Sequence, residues 1–270
     1  MTRPYAEVIG DPIAHSKSPK MHGFWLAQCG IEADYRAVHV TAAELPAYVE
    51  QRAADPLWRG CNVTLPHKIA VMDLVADPGN VRASIGAMNT ISRDASGALF
   101  GTNTDAGGFF TPIADVPLDG APVIVAGTGG AAHAVLFALS RVGVGPVTLL
   151  ARNPLKGAAL LTRFGLKGDV RALDAALPPA ALLVNTTSLG MAGQDAFVPD
   201  LSPLPEDAVV YDIVYTPLVT PLLAAAEARD LATVDGLEML IGQGAIAFEI
   251  FFGQAPPREL DEELRELLLA

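Results

Sequence analysis

Four short clusters carry the side chains best suited to holding a polar small molecule: His15-Ser16-Lys17-Ser18-Pro19, Asn62-Val63-Thr64-Leu65-Pro66-His67-Lys68, Ala87-Met88-Asn89-Thr90 and Gly101-Thr102-Asn103-Thr104-Asp105. All are rich in short hydrogen-bonding groups. Taken singly, Ser18, Thr64 and Asp105 also read as helix caps, and Lys68 as a solvated cation near a helix start, where the dipole does not favour it. Recurrence shifts the balance. The clusters fall where strands end or helices begin, and ligands of open α/β sheets bind outside the carboxyl ends of the strands.

A second set points to a nucleotide. Gly127-Thr128-Gly129-Gly130-Ala131-Ala132 satisfies the dinucleotide fingerprint G-x-G-x-x-G/A directly after the apolar run PVIVA and ahead of a helical pattern. Glycines let the backbone approach a pyrophosphate, whose charge then sits at the positive end of the helix. A tight structural turn is the plainer reading of such glycines. The strand that follows, PVTLLA (146–151), ends in Ala151 where an NAD site would place a carboxylate for the ribose hydroxyls. Arg152 and Lys156 come next instead, and two cations suit the 2′-phosphate of NADP. The plainer alternative is that both are ordinary solvated surface charges, but the pair in place of a carboxylate favours NADP over NAD.

The elements that must position these groups read as two α/β frames. A strand over 5–10 leads to a helix with a cap at Ser18 and Pro19 at its first position. A strand over 34–40 and the capping box Thr41-Ala-Ala-Glu44 open a second unit. A strand over 60–65 and a helix from about Pro66 make a third, so the expected sheet is mostly parallel. Residues 86–103, with the turn Asp94-Ala-Ser-Gly97, read as a hairpin on its edge. After a helix from about Asp105 the rhythm restarts as a βαβ unit over 122–151, the opening of a dinucleotide fold. Strands near 168–173, 181–186 and 208–214 alternate with helical stretches at 155–164 and 219–229. Helices over 237–252 and 257–269 are expected to pack back on the first frame. The expected architecture is therefore α/β with two domains and a cleft between them. Residues 1–104 with 237–270 form a discontinuous substrate-binding and catalytic domain, and 105–236 a Rossmann domain for NADP.

Composition excludes several classes. The net charge of −12 offers no basic groove for nucleic acid. No apolar run is long enough to span a bilayer, and the opening MTRPYAEVIG lacks the pattern of a secretory signal. Cys29 and Cys61 stand outside any C-x-x-C spacing, which suits a reducing cytoplasm, and the five histidines show no ligand spacing, so no metal is expected.

Eight motifs carry a resemblance: Y-A-E-V-I-G-D-P-I-A-H-S-K-S-P, N-V-T-L-P-H-K, G-A-M-N-T, G-T-N-T-D, G-T-G-G-A, N-T-T-S-L-G-M, Y-D-I-V-Y and D-G-L-E-M-L-I-G-Q-G-A. In this order, from residue 5 to 245, the chain resembles the shikimate dehydrogenases. The resemblance implies reversible reduction of 3-dehydroshikimate to shikimate by NADPH, in a monomer or homodimer with no nucleic-acid or membrane partner. It implies a catalytic pair, Lys68 and Asp105. Ser16 and Ser18 would bind the substrate carboxylate with Tyr215 nearby, and Asn62, Thr64, Asn89 and Gln243 the ring hydroxyls. Ile213 and Gly236 would join Gly127, Thr128, Gly129, Gly130, Ala131, Arg152 and Lys156 at the cofactor.

The chemistry agrees with those roles. Hydride delivery to a ketone develops charge on its oxygen, so a donor must stabilise that oxygen and supply a proton. A lysine does both, and an adjacent carboxylate orients it. Ala151-Arg152-Asn153 departs from the family's Asn-Arg-Thr, which removes one polar contact to the adenosine phosphate and keeps the arginine. Three rivals remain: a quinate or quinate/shikimate dehydrogenase using NAD, a non-catalytic NADP-binding regulatory homologue, and a methylene-tetrahydrofolate-type dehydrogenase. Intact Lys68 and Asp105 speak against the second. The H-S-K-S-P and G-T-N-T-D clusters speak against the third.

Overall fold

The computed structural model describes residues 3–270. Two units divide the chain, one running to Gly108 and including Leu240–Ala270, the other Phe109–Met239.

The first unit alternates β1 (Tyr5–Gly10), α1 (Ser18–Gln28), β2 (Asp34–His39), α2 (Leu45–Ala53) and β3 (Trp58–Val63), then a short α3 (Val81–Ser84) and the hairpin β4 (Thr90–Arg93) and β5 (Leu99–Thr102). The sheet order is β2-β1-β3-β4-β5, with β1 to β3 parallel and β4 antiparallel to both neighbours. The hairpin stands on the sheet edge as its sequence requires, and Asp94 accepts the Ser96 and Ala98 amides to close the turn. Because β4 runs against β3, its first residue shares an edge with the last residues of β1, β3 and β5. Asn62, Thr90 and Thr102 lie side by side in register there.

β1 is buried along its whole length, Glu7 included. That carboxylate is tolerated because Tyr48 Oη donates to it at 2.7 Å and Arg52 Nε at 2.7 Å, both from α2. α4 (Asp105–Phe110) begins just past β5. The later helices α8 (Gly236–Phe252) and α9 (Asp261–Leu269) pack on α1 from their Leu240–Leu269 portion. At Gly244 a Cβ would lie 2.3 Å from Met21 Cε, so α8 approaches α1 closely there and a larger residue would displace the end of the Met21 side chain. Trp25 meets Phe248 edge-on with ring centres 5.6 Å apart.

Three details differ from the sequence reading. Lys17 holds the N-cap of α1 with no side-chain cap bond, and Ser18 is the first helical residue. At 41–44 the Glu44 carboxylate accepts from both the amide and hydroxyl of Thr41, so both bonds of the box end on one group, and α2 begins at Leu45. No α-helix starts at Pro66: the chain forms turns and a single 3-10 turn, Ala70–Asp73. The cause is competition for a carbonyl. Met88 N–H donates to Lys68 O at 2.7 Å, and Met72 N–H turns instead to Ile69 O.

The second unit holds β6 (Val123–Ala126), α5 (Gly130–Val142), β7 (Val147–Leu150), α6 (Pro154–Arg163), β8 (Gly168–Arg171), β9 (Leu182–Asn185), β10 (Val209–Asp212), α7 (Pro221–Glu227) and β11 (Ala232–Val234). Its sheet is parallel throughout, ordered β11-β10-β9-β6-β7-β8. The four central strands are buried end to end, as both faces of a doubly wound sheet require. Order reverses at β6, the switch point beside which such folds bind nucleotides.

Candidate active site

Lys68 and Asp105, 37 residues apart, meet in the first unit: Lys68 Nζ donates to Asp105 Oδ2 at 2.6 Å, the side chains being 16% and 5% exposed. The turn after β3 presents the lysine, and its backbone is tied by the Met88 amide to the segment entering β4. Lys68 thus lies ahead of no α-helix, and the dipole argument against its placement lapses. Asp105 opens α4, yet the helix amide of Ala106 is capped by Asn103 Oδ1 at 3.1 Å. The Asp105 carboxylate is spent on side chains: its other oxygen, Oδ1, accepts from Asn89 Nδ2 at 2.8 Å.

Asn89 is the hub. Its Oδ1 accepts the Thr104 amide at 2.7 Å and the Thr90 hydroxyl at 3.2 Å, while Nδ2 also reaches Thr104 Oγ1 at 2.9 Å and Gln243 Oε1 at 3.2 Å. A backbone N–H can only donate and an ionised carboxylate can only accept, so the amide orientation is fixed without ambiguity. Gln243, on α8, accepts in addition from Thr104 Oγ1 at 3.3 Å. Asn62 continues the row, its Nδ2 donating to Thr90 Oγ1 at 3.4 Å. Asn89, Thr90, Thr104, Asp105, Asn62 and Gln243 are all buried. This polar wall is held by its own hydrogen bonds, so its donors and acceptors keep fixed directions.

The other expected residues fall around this row or elsewhere. Ser16 and Ser18 stand in the loop after β1 and the first turn of α1, joined by Ser18 N–H to Ser16 Oγ at 3.3 Å. Thr64 follows β3, the neighbour of β1, and a Cβ at Gly10 would touch its Cγ2 at 2.6 Å, so the ends of the two strands are in close contact. His67 is buried and donates from Nε2 to Val40 O at 2.6 Å, a structural tie. Tyr215 lies in the second unit, half-buried, three residues past β10. Thr90, Thr104 and Tyr35, which donates to Asn62 Oδ1 at 2.6 Å, joined the network without having been assigned a role. Thr104 could have been found from its cluster. Nothing local marks Tyr35.

In the second unit Gly127 adopts φ +112°, and a Cβ there would sit 2.4 Å from Thr186 Oγ1. Only glycine fits. Gly129 is different: it is the extended N-cap of α5, without a side-chain cap, and a Cβ there meets nothing. Thr128, Gly130 and Ala131 are half-buried at the start of α5, where the first helical amides have no partner within the helix, as an anion site needs. Arg152 and Lys156 are exposed and form no ion pair among the described residues, and Asn153 caps α6 by accepting the Lys156 amide at 3.2 Å. Gly236 is pressed on the backbone of the β10 exit, where a Cβ would lie 2.4 Å from Ile213 O. That exit is held by Asp212, fully buried, which accepts Asn185 Nδ2 at 3.0 Å, Val214 N–H at 3.1 Å and Thr220 Oγ1 at 2.7 Å. Burial raises its pKa and the three donors oppose the rise. The second unit thus carries a glycine turn into the N-terminus of α5 and, past β7, two exposed cations. Among the described residues no cluster could hold a metal ion, and no helix is long and apolar enough to cross a membrane.

Comparison with known proteins finds two family matches, the "Shikimate dehydrogenase substrate binding domain" over residues 8–91 and the "Shikimate 5'-dehydrogenase C-terminal domain" over 236–264. A shikimate dehydrogenase (NADP(+)) of Sphingopyxis alaskensis is 66% identical over 267 residues, covering 99% of this chain and 97% of the relative. The crystal structure of Thermus thermophilus shikimate 5-dehydrogenase in complex with NADP(H) and shikimate matches with a TM-score of 0.86 at 36% identity, over 98% of this chain and 99% of that one. A quinate dehydrogenase of Corynebacterium glutamicum in complex with NAD matches with a TM-score of 0.85 at 28% identity, over 99% of each chain. The identities rank the NADP enzyme of shikimate above the NAD enzyme of quinate as the better likeness.

Proposed function

Because the chain belongs to the shikimate dehydrogenase family, we propose that Lys68 and Asp105 carry out its reaction, the reversible NADPH-dependent reduction of 3-dehydroshikimate to shikimate. The protein is an NADP-dependent oxidoreductase acting on a secondary alcohol. The observation that carries the residue assignment is the Lys68–Asp105 bond of 2.6 Å set against the buried row of Asn62, Asn89, Thr104 and Gln243.

Lys68 Nζ hydrogen-bonds the ketone oxygen, stabilises the charge that grows on it and delivers the proton; in the reverse direction it takes that proton from the alcohol. Asp105 holds the ammonium in line, and is itself held by Asn89. NADPH, when bound, supplies the hydride. Ser16 and Ser18, with Tyr215, bind the substrate carboxylate, and Asn62, Thr64, Asn89 and Gln243 bind the ring hydroxyls. Gly127 to Ala131 receive the pyrophosphate at the α5 N-terminus, Arg152 and Lys156 the 2′-phosphate, and Ile213 and Gly236 line the remainder of the cofactor site. Residues 1–104 with 237–270 serve as the substrate domain and 105–236 as the NADP domain.

The test is a set of initial rates with shikimate or quinate and NADP or NAD. Shikimate with NADP is expected to be fastest. A faster rate with quinate and NAD would transfer the assignment to the sister activity.

A further inference from the structure

Tyr35 is outside every motif that suggested the site, yet its side chain reaches into it. On β2 it lies in register with Ala6 of β1, which in turn lies in register with Gly60 of β3. One neighbour is a methyl group, so the phenol has room to lie across β1, and the Phe251 ring fills the space over the next, which has no side chain. Its hydroxyl ends 2.6 Å from Asn62 Oδ1. The ring is clamped by His22, stacked on it at 3.9 Å between centres and 3° between planes, with Phe251 6.5 Å away.

The direction of this bond is set from the far end of the row. Asn89 must present Oδ1 to the Thr104 amide and Nδ2 to Asp105. Thr90 spends its proton on Asn89 Oδ1, so its oxygen receives Asn62 Nδ2. Asn62 Oδ1 is then turned to Tyr35, whose hydroxyl donates. Burial raises the Tyr35 pKa well above the ordinary phenol value, so the proton stays on it across working pH. One N–H of Asn62 goes to Thr90 at a long 3.4 Å, and the other remains for a ligand.

We propose that Tyr35 is a positioning residue for substrate recognition: by donating to Asn62 Oδ1 it locks the Asn62 amide with its N–H toward the site, so that the amide donates to a substrate hydroxyl. Without that donor only the long 3.4 Å bond to Thr90 Oγ1 holds the amide, so its orientation is held less firmly and a turned-over amide presents a carbonyl to the ligand. This rests on the reading of Asn62 as a substrate ligand given above.

The experiment compares Tyr35→Phe, Asn62→Ala and the double variant by steady-state kinetics with shikimate and NADP, alongside thermal unfolding. A neutral buried hydrogen bond of ordinary strength, lost with its orienting effect, corresponds to a rise of about three- to tenfold in KM for shikimate. Expected for Tyr35→Phe are that rise, kcat and KM for NADP within about twofold of wild type, and no further rise when Tyr35→Phe is added to Asn62→Ala. If Asn62→Ala raises KM for shikimate and Tyr35→Phe does not, the proposal fails while the site stands. If Asn62→Ala also leaves it unchanged, the assignment of Asn62 has failed and the proposal falls with it. Equal losses in kcat and both KM values, with lowered thermal stability, would assign Tyr35 a packing role only and overturn the proposal.

Discussion

Truncation of Lys68 to alanine separates catalysis from binding and from folding. The change removes the ammonium that Asp105 Oδ2 accepts at 2.6 Å and leaves in place the bond from Asn89 Nδ2 to Asp105 Oδ1 at 2.8 Å. A lost general acid costs about 10²- to 10⁴-fold in rate, which is about 2.7–5.4 kcal/mol of barrier. Folding loses a comparable amount at most. Breaking a buried ion pair by removing one partner costs about 3–5 kcal/mol, and the low end applies because Lys68 is 16% exposed, so water can take its place. At about 2–4 °C per kcal/mol, Tm falls by roughly 6–12 °C, which thermal unfolding of the variant checks. The assay is the initial rate of NADPH oxidation at saturating 3-dehydroshikimate, with the shikimate Kd measured by titration. Expected is a kcat at least about a hundredfold lower with a nearly normal Kd. A folded variant retaining kcat within about tenfold of wild type would refute the role given to Lys68.

Two further outcomes test the cofactor side and the buried core. Arg152→Ala should raise KM for NADPH by about tenfold, the low end for an exposed charge-assisted bond, and leave KM for NADH unchanged; equal effects on both would show that the arginine does not read the 2′-phosphate. His22 is fully buried with both ring nitrogens unbonded among the described residues, and burial lowers its pKa to about 3 from 6.5. The unfolded chain therefore binds the proton first: stability is intact above about pH 6.5 and falls as pH drops toward 3, by about 3 kcal/mol at pH 4. Urea midpoints across this range should converge less steeply for His22→Phe, and identical slopes in the two proteins would count against a buried neutral imidazole.

Legibility in the sequence followed the range of the interactions. Gly127 could be read because its reason is local: a positive φ at a strand-to-helix turn needs glycine whatever the rest of the chain does. The hairpin of β4 and β5 could be read because Asp94 closes its own turn. The expected helix from Pro66 failed because a residue twenty positions later, Met88, takes the Lys68 carbonyl. β11 escaped notice because three residues carry no alternation to recognise. Tyr35, Glu7 and His22 are the instructive cases. Each is a buried side chain carrying a polar group, and each has a function decided by residues on other elements: Asn62 for Tyr35, Arg52 and Tyr48 for Glu7, and the Tyr35 ring for His22. The motifs named the residues proposed to touch the ligand, while the side chains that hold those residues became visible only with the strands in register.

The most direct test of the account is to mix the purified protein with 3-dehydroshikimate and NADPH and to quantify both NADPH consumed and shikimate formed. The account predicts one shikimate for each NADPH oxidised, with the reverse reaction proceeding from shikimate and NADP. No consumption of NADPH by folded protein at saturating 3-dehydroshikimate, or consumption without shikimate formed, would contradict it.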